Sequence, residues 1–193
     1  MHTIALKIPP KIDVFSDDEL YEFCRQNPDL RIERDEHGQI FIKMPTGIKT
    51  SINNSELLIE VGLWNRQHRL GEVTDAEGGY TLPDKSMRVP DVAWISHERL
   101  ATVSEDDLKK FAHVCPDFVI ELRSASDTLH ELQAKMLKWI SNGVRLGWLI
   151  DPHEQKTFVY QPNQEMTEYL FEDTLSGEDV LPGFELNLRQ LLK

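Results

Sequence analysis

Two short segments constrain the fold of this chain more than any other feature. Residues 88–96 (RVPDVAWIS) and 117–124 (DFVIELRS) are rich in Val, Ile, Phe and Trp, the residues of pleated strands, and each carries an acid inside its apolar stretch. Alternation along the second puts Phe118, Ile120 and Leu122 on one face and Val119, Glu121 and Arg123 on the other. In the first, Val89, Asp91, Ala93 and Ile95 share a face. A carboxylate in such surroundings is costly unless it is paired, hydrogen-bonded or bound to a cation. Two of them on neighbouring strands suggest a shared divalent metal. Mg2+ prefers oxygen ligands, keeps several waters and is usually held by one or two carboxylates plus a substrate phosphate. The plainer reading is structural: Glu121 pairs with Arg123 or another base, and Asp91 caps a turn after Pro90. Structural ion pairs of that kind are common.

The rest of the chain interleaves helices and strands. Ser16 and Glu19 form a capping box at the start of a helix that Pro28 ends, with Leu20 and Phe23 on one face. Residues 30–34 and 39–44 read as a hairpin around Asp35-Glu36-His37-Gly38. The longest helix is predicted over residues 52–68. Leu57, Val61 and Trp64 recur at helical spacing, and Ile52, Ile59 and Leu63 form a neighbouring stripe. Together they make a broad apolar face for packing on a sheet, with Gly71 as the stop. Short strands follow at 72–75 and 79–82, then a short capped helix at 104–111. Ser126 or Asp127 caps a helix running to Asn142, with Gly143 behind it. Strands are predicted at 147–151, 156–161 and 167–171, and a last helix at 188–192. The class is α/β or α+β with a mixed sheet. No Pro-, Gly- or Ser-rich linker divides the chain, so residues 1–15 read as an extended N-terminal segment and 16–193 as one domain.

The helix after Glu121 offers a third group. Leu129, Leu132, Met136 and Ile140 define its core face, and Lys135 flanks that face on the side of Trp139. A lysine stem there reaches over the sheet end towards Glu121. The alternative is an i,i+4 pair with Glu131.

Composition excludes several classes. With 21 Lys and Arg against 33 Asp and Glu, the net charge is −12, and no basic tail or stripe exists for indiscriminate binding to nucleic acid. Lys43, Lys49, Arg66 and Arg69 are the candidates for a local positive face. No apolar run is long enough for a transmembrane helix, and the N-terminal prolines do not suit a signal peptide. Cys24 and Cys115 read as reduced thiols, which points to a cytoplasmic protein. No G-x-S-x-G surrounds Ser124 or Ser126, which read as helix caps, and no P-loop exists. The histidines show no metal-ligand spacing. Trp94 and Trp148 lie near strand ends, in the core or lining a cleft.

RVPDVAWIS, PDFVIELRSASDT and LQAKMLKWISNGVRLGWLIDP, in this order, resemble the Uma family of restriction endonucleases, part of the PD-(D/E)XK nuclease superfamily. RIERDEHGQIFIKMPTG and the start of the long helix, with Asn53, Asn54 and then Trp64, extend the similarity over roughly residues 16 to 190. The resemblance implies a restriction-endonuclease-like core, a central mixed β-sheet flanked by helices, with the site at one end of the sheet. It implies that Asp91 is the aspartate of the PD motif and Glu121 the acid of the (D/E)XK motif. The superfamily lysine position holds Arg123, which can grip a phosphate but is a poor general base. The family's pattern has a lysine on the following helix, matched by Lys135. Trp139 stands where the family commonly has Tyr, and Glu33 where it often carries an acid, here an accessory ligand at most. Asp117 is a decoy, since it shares a strand with Glu121, and Asp151 suits a turn role.

The expected activity is metal-dependent hydrolysis of DNA. Asp91 and Glu121 would hold Mg2+ or Mn2+ with a backbone carbonyl near Leu122, Lys135 would orient water or stabilise developing charge, and Arg123 would touch the phosphate. The expected partners are DNA and, as duplex-cutting nucleases often pair about a two-fold axis, a second copy of the chain, with no membrane. The alternative is a catalytically inactive nuclease fold acting as a DNA-binding or protein-interaction module, an alternative that Arg123 keeps open.

Overall fold

The structure is a computed structural model that describes residues 4–6, as backbone, and 15–192. The extended conformation expected at residues 1–3 and 7–14 falls outside the described residues. The chain begins with β1 (Ile4–Leu6), followed by α1 (Asp17–Gln26), which Ser16 and Glu19 cap reciprocally. Next come β2 (Arg31–Arg34) and β3 (Ile40–Lys43). Their turn is tied by Asp35, which accepts from the His37 and Gln39 amides, and Gly38 takes the left-handed φ of 84° that closes it. Helix α2 (Ile48–His68) starts four residues before its predicted position. It ends with Arg69 in the left-handed conformation. Gly71 is therefore not the helix stop. It opens β4 (Gly71–Thr74), where a Cβ would fall 2.1 Å from the Ile95 carbonyl oxygen.

Past β5 (Tyr80–Thr81), the predicted strand over 88–96 is two strands in two different sheets: β6 (Met87–Arg88) and β7 (Val92–Ser96). Pro90 marks the break, because it has no N–H to give a ladder. A one-turn helix, α3 (His97–Leu100), follows. Of the helix predicted at 104–111 only a 3-10 turn at Asp107–Lys109 forms. Then come β8 (Phe118–Leu122) and α4 (Leu129–Ser141). The cap of α4 is Thr128 rather than Ser126 or Asp127. Asp127 instead accepts from the backbone and hydroxyl of Ser124, both at 2.7 Å, forming a separate turn. The remaining elements are β9 (Leu146–Asp151), β10 (Lys156–Tyr160), β11 (Thr167–Leu170), β12 (Thr174–Ser176), β13 (Glu185–Asn187) and α5 (Leu188–Leu191).

The central sheet has six strands in the order β11-β10-β9-β8-β7-β4. It is mixed: β8 and β9 run parallel, joined by α4 as the crossover, and the other neighbours are antiparallel. On one face, Phe118, Ile120, Trp148 and Ile150 pack with Leu57, Val61 and Trp64 of α2 and with the C-terminal segment. On the other, Val119 and Leu149 pack with Leu132, Met136 and Trp139 of α4. The alternation read in 117–124 is the alternation observed. Trp94 and Trp148 are buried core residues. A second sheet, β1-β3-β2-β6-β5, packs on α1 through Leu20, Ile32, Ile40 and Met87.

One expectation for α2 fails. Only the stripe of Leu57, Val61 and Trp64 is buried, while Ile52, Ile59 and Leu63 stand exposed.

Candidate active site

The chain crosses from the second sheet to the central one at Val89-Pro90-Asp91, and this crossing sets Asp91 at the mouth of β7 beside the middle of β8. The Asp91 amide donates to the Ile120 carbonyl at 3.1 Å, and its Oδ2 accepts from the Leu122 amide at 2.7 Å. Asp91 thus finishes the β7–β8 ladder with its side chain. Glu121, buried in β8, faces α4. Lys135, about two turns into that helix, donates to Glu121 Oε1 at 2.7 Å. Trp139, one turn further, donates its indole N–H to the same oxygen at 2.8 Å. The i,i+4 spacing of Lys135 and Trp139 brings both donors over one strand residue.

The second sheet closes the site. Glu33 of β2 is buried and encircled by cations: Lys135 at 3.0 Å, Lys43 of β3, and Arg88 at 3.4 Å, with the Val89 amide at 3.2 Å. Lys135 also donates to the Val89 carbonyl at 2.9 Å. Its ammonium therefore bridges Glu121 on the central sheet and Glu33 on the other.

These surroundings set the charge states. Burial pushes the Glu121 carboxyl above the usual carboxylate range; Lys135 opposes that shift and the Asp91 charge adds to it. Burial pushes Asp91 up as well, against the Leu122 N–H and Lys135. For Glu33 burial acts the same way, but Lys135, Lys43 and Arg88 outweigh it and hold the carboxyl well below its ordinary value. Burial disfavours the charge on Lys135, and Glu121 and Glu33 overcome it, so the ammonium is held charged.

A cleft of about 190 Å³ opens beside these groups, lined by Glu33, Lys43, Asn54, Asp91, Leu122 and Ser124 among others. Among the described residues no group of three or more His, Cys, Asp and Glu is placed to hold a metal, so a closed side-chain cage is absent. The oxygen donors the structure brings together are instead the two adjacent carboxylates. Among the described residues, the hydrogen bonds to Glu121 end on Oε1 and that to Asp91 on Oδ2. Oε2 and Oδ1 remain as donors. An oxygen set of this size fits Mg2+ or Mn2+, which retain waters, and not a four-ligand Zn2+ site.

The structure brings together Asp91, Glu121 and Lys135 of the residues singled out in the sequence, and it sends others elsewhere. Arg123 pairs with buried Asp151 at 2.6 Å and does not line the cleft, because Asp151 is its neighbour across the parallel β8–β9 ladder. Asp151 also accepts from the His153 and Glu154 amides, which is a turn role. Asp117 accepts from the Ser96 amide and Arg99, away from Glu121. Glu33, with its oxygens engaged by cations and an amide, is a poor accessory ligand. Neither Lys43 nor Arg88 is legible in the sequence as a partner of the site carboxylates. Lys49 and Arg66 lie at opposite ends of α2, so with Lys43 in the cleft the candidate basic residues do not gather on one face. Trp139→Phe removes a hydrogen bond to a buried carboxyl oxygen that burial keeps from water. The expected result is a loss of about 2 kcal/mol of stability in urea denaturation.

The comparisons with known proteins bear on this arrangement. The family model Uma2, described as "Putative restriction endonuclease", matches residues 17–189. The chain belongs to the Uma2 family. A solved structure described as a "putative nuclease belonging to DUF820", from Anabaena variabilis ATCC 29413, is similar to this Uma2 chain with a TM-score of 0.75. The two are 24% identical, over 92% of this chain and 97% of the other. At that identity the likeness shows the fold: a mixed sheet flanked by helices, as the sequence resemblance implies. No curated protein matches the chain. No helix among the described residues is long and apolar enough to cross a membrane.

Proposed function

We propose that this Uma2 protein is a metal-dependent DNA endonuclease with Asp91, Glu121 and Lys135 as its reacting constellation, acting in the cytoplasm. One observation carries the reading: Asp91, just ahead of β7, lines a cleft and is hydrogen-bonded to both chain neighbours of Glu121 on β8, and the Lys135 ammonium lies 2.7 Å from Glu121. Burying two like charges together is unfavourable in a structural ion pair, and it suits a site that is completed by a cation. The family description and the nuclease-like fold support the same reaction class.

Asp91 and Glu121 would hold Mg2+ or Mn2+ with the Leu122 carbonyl. Such a cation, when bound, supplies Lewis-acid polarisation of a phosphodiester and lowers the pKa of water. The chain does the rest. Glu33 and Glu121 fix the Lys135 ammonium directly behind Glu33 and Val89 of the cleft wall, from where it would orient the attacking water and offset charge developing on the phosphate oxygens. Lys43, also in the cleft, would offer a second amine to the phosphate, one whose pKa burial and the Lys135 charge pull down against the opposing pull of Glu33. Arg123, spent on Asp151, holds the end of the β8–β9 ladder.

Calorimetric titration of Mg2+ and Mn2+ into wild type and Glu121→Ala, repeated with a short DNA duplex, tests this. The expected result is binding by wild type that the variant loses. If wild type binds neither cation with or without duplex, the reading fails and a non-catalytic nuclease-fold module, consistent with the net charge of −12, takes its place.

A further inference from the structure

The exposed stripe of α2 is not used by the fold. Ile48, Ile52, Ile59 and Leu63 are 81%, 55%, 50% and 46% exposed on a helix whose opposite side is buried. At about 100° per residue the four fall within an arc of roughly 60°, a single narrow seam along the helix. A seam of this length on a soluble surface marks an interaction site rather than scattered exposure.

Its pattern identifies the occupant. Ile48 and Leu63 lie equally far from the midpoint between Ser55 and Glu56, and so do Ile52 and Ile59. The seam is therefore palindromic. A two-fold axis at that midpoint, with two α2 helices antiparallel, sets Ile48 against Leu63 of the second copy and Ile52 against its Ile59. A two-fold interface requires this self-complementarity, and an unrelated partner does not. The charges agree. Lys49 and Glu60 lie on the same flank of the seam, at similar distances from the midpoint, so each Lys49 comes within reach of a Glu60 of the other copy. Among the described residues neither has an ion-pair partner in its own chain. The other flank carries Ser51, Ser55 and Gly62. A Cβ on Gly62 would meet nothing within 4 Å, so packing within the chain does not call for glycine in mid-helix, where it costs about 1 kcal/mol relative to alanine. Close approach of a second helix does.

From this we infer that the protein self-associates through antiparallel pairing of α2 about Ser55 and Glu56. The inference stands on the outer face of α2 and does not depend on the chemistry of the cleft. Thr50 and Asn54, which line the cleft, project from the inner side of the same helix, so pairing leaves both clefts open. A single pair of helices about 31 Å long gives a contact at the small end of specific interfaces, so a dimer with micromolar Kd is expected.

Sedimentation velocity of the full chain, from low to several hundred micromolar, tests it on four proteins: wild type, Ile52→Lys, Ile59→Glu and the double variant. Both positions are exposed, and thermal melts verify that each variant folds. Wild type is expected to shift from monomer to dimer with concentration. Each single change sets an unpaired charge against an isoleucine of the other copy and weakens association by about tenfold or more. The double variant faces the new ammonium at position 52 with the new carboxylate at position 59 of the other copy, and it recovers much of the loss. A wild type that stays monomeric overturns the inference. So do single variants that dimerise unchanged, or a double variant that recovers nothing, since the last excludes this antiparallel register.

Discussion

Asp91→Asn is expected to lower Mg2+-dependent DNA cleavage by about a thousandfold or more while leaving the metal-free protein at least as stable as wild type. The two halves of this result have one cause. Asparagine keeps an oxygen in place to accept from the Leu122 amide, which Asp91 does at 2.7 Å, so the β7–β8 ladder is still finished. What disappears is a negative charge that burial disfavours and that, among the described residues, no cation contacts directly. Without metal that charge is a cost, and with metal it is half of the carboxylate ligand set. Added Mg2+ should therefore raise the thermal midpoint of wild type and leave that of Asp91→Asn unmoved. A purely structural Asp91 gives the opposite pattern, with a lower midpoint in the variant and no dependence on metal.

Glu33→Gln is expected to destabilise the protein by about 3–5 kcal/mol, the scale seen when one partner of a buried charge network is removed. Glu33 is buried, and Lys43, Lys135 and Arg88 all reach it. Its removal leaves Lys43 facing Lys135 without the carboxylate between them. The pH dependence has a definite sign. Cations hold the folded Glu33 carboxyl below its ordinary value of 4.5, so its contribution is complete above that pH and is lost as pH falls through the lower folded value. In Glu33→Gln this component of acid destabilisation should vanish. Urea denaturation of both proteins at a series of acidic pH values measures both effects. A variant as stable as wild type would mean that Glu33 does not hold the two sheets together through Lys135.

The parts of the site that are legible in the sequence are those set by local periodicity. Alternation within 117–124 fixes the face of Glu121, and helical phase fixes Lys135 beside Trp139. The parts that are not legible depend on how distant segments pack. The role of Lys43 arises because the second sheet lies against α4, and nothing in IFIKM distinguishes that lysine from one on a solvated edge. Residues 88–96 read as one strand because their apolar run is nearly continuous, although Pro90 is the signal for a break. The cap of α4 is ambiguous because Ser126, Asp127 and Thr128 are all capable of it, and Ser124 recruits Asp127 into its own turn. For α2 the sequence shows two apolar stripes and does not tell which one the sheet covers. Arg123 and Asp151 become partners only once β8 and β9 run parallel in the observed register.

Cleavage of supercoiled plasmid DNA is the most direct measurement. Wild type, Asp91→Asn and Lys135→Met would be incubated with Mg2+, with Mn2+ and with a chelator, and nicked and linear products quantified over time. The expected result is product from wild type with metal only, and little or none from either variant while both still melt cooperatively. Cleavage that persists at the wild-type rate in either folded variant, or wild type that binds the cation and the duplex yet cuts nothing, would contradict the assignment of Asp91, Glu121 and Lys135 as a nuclease site.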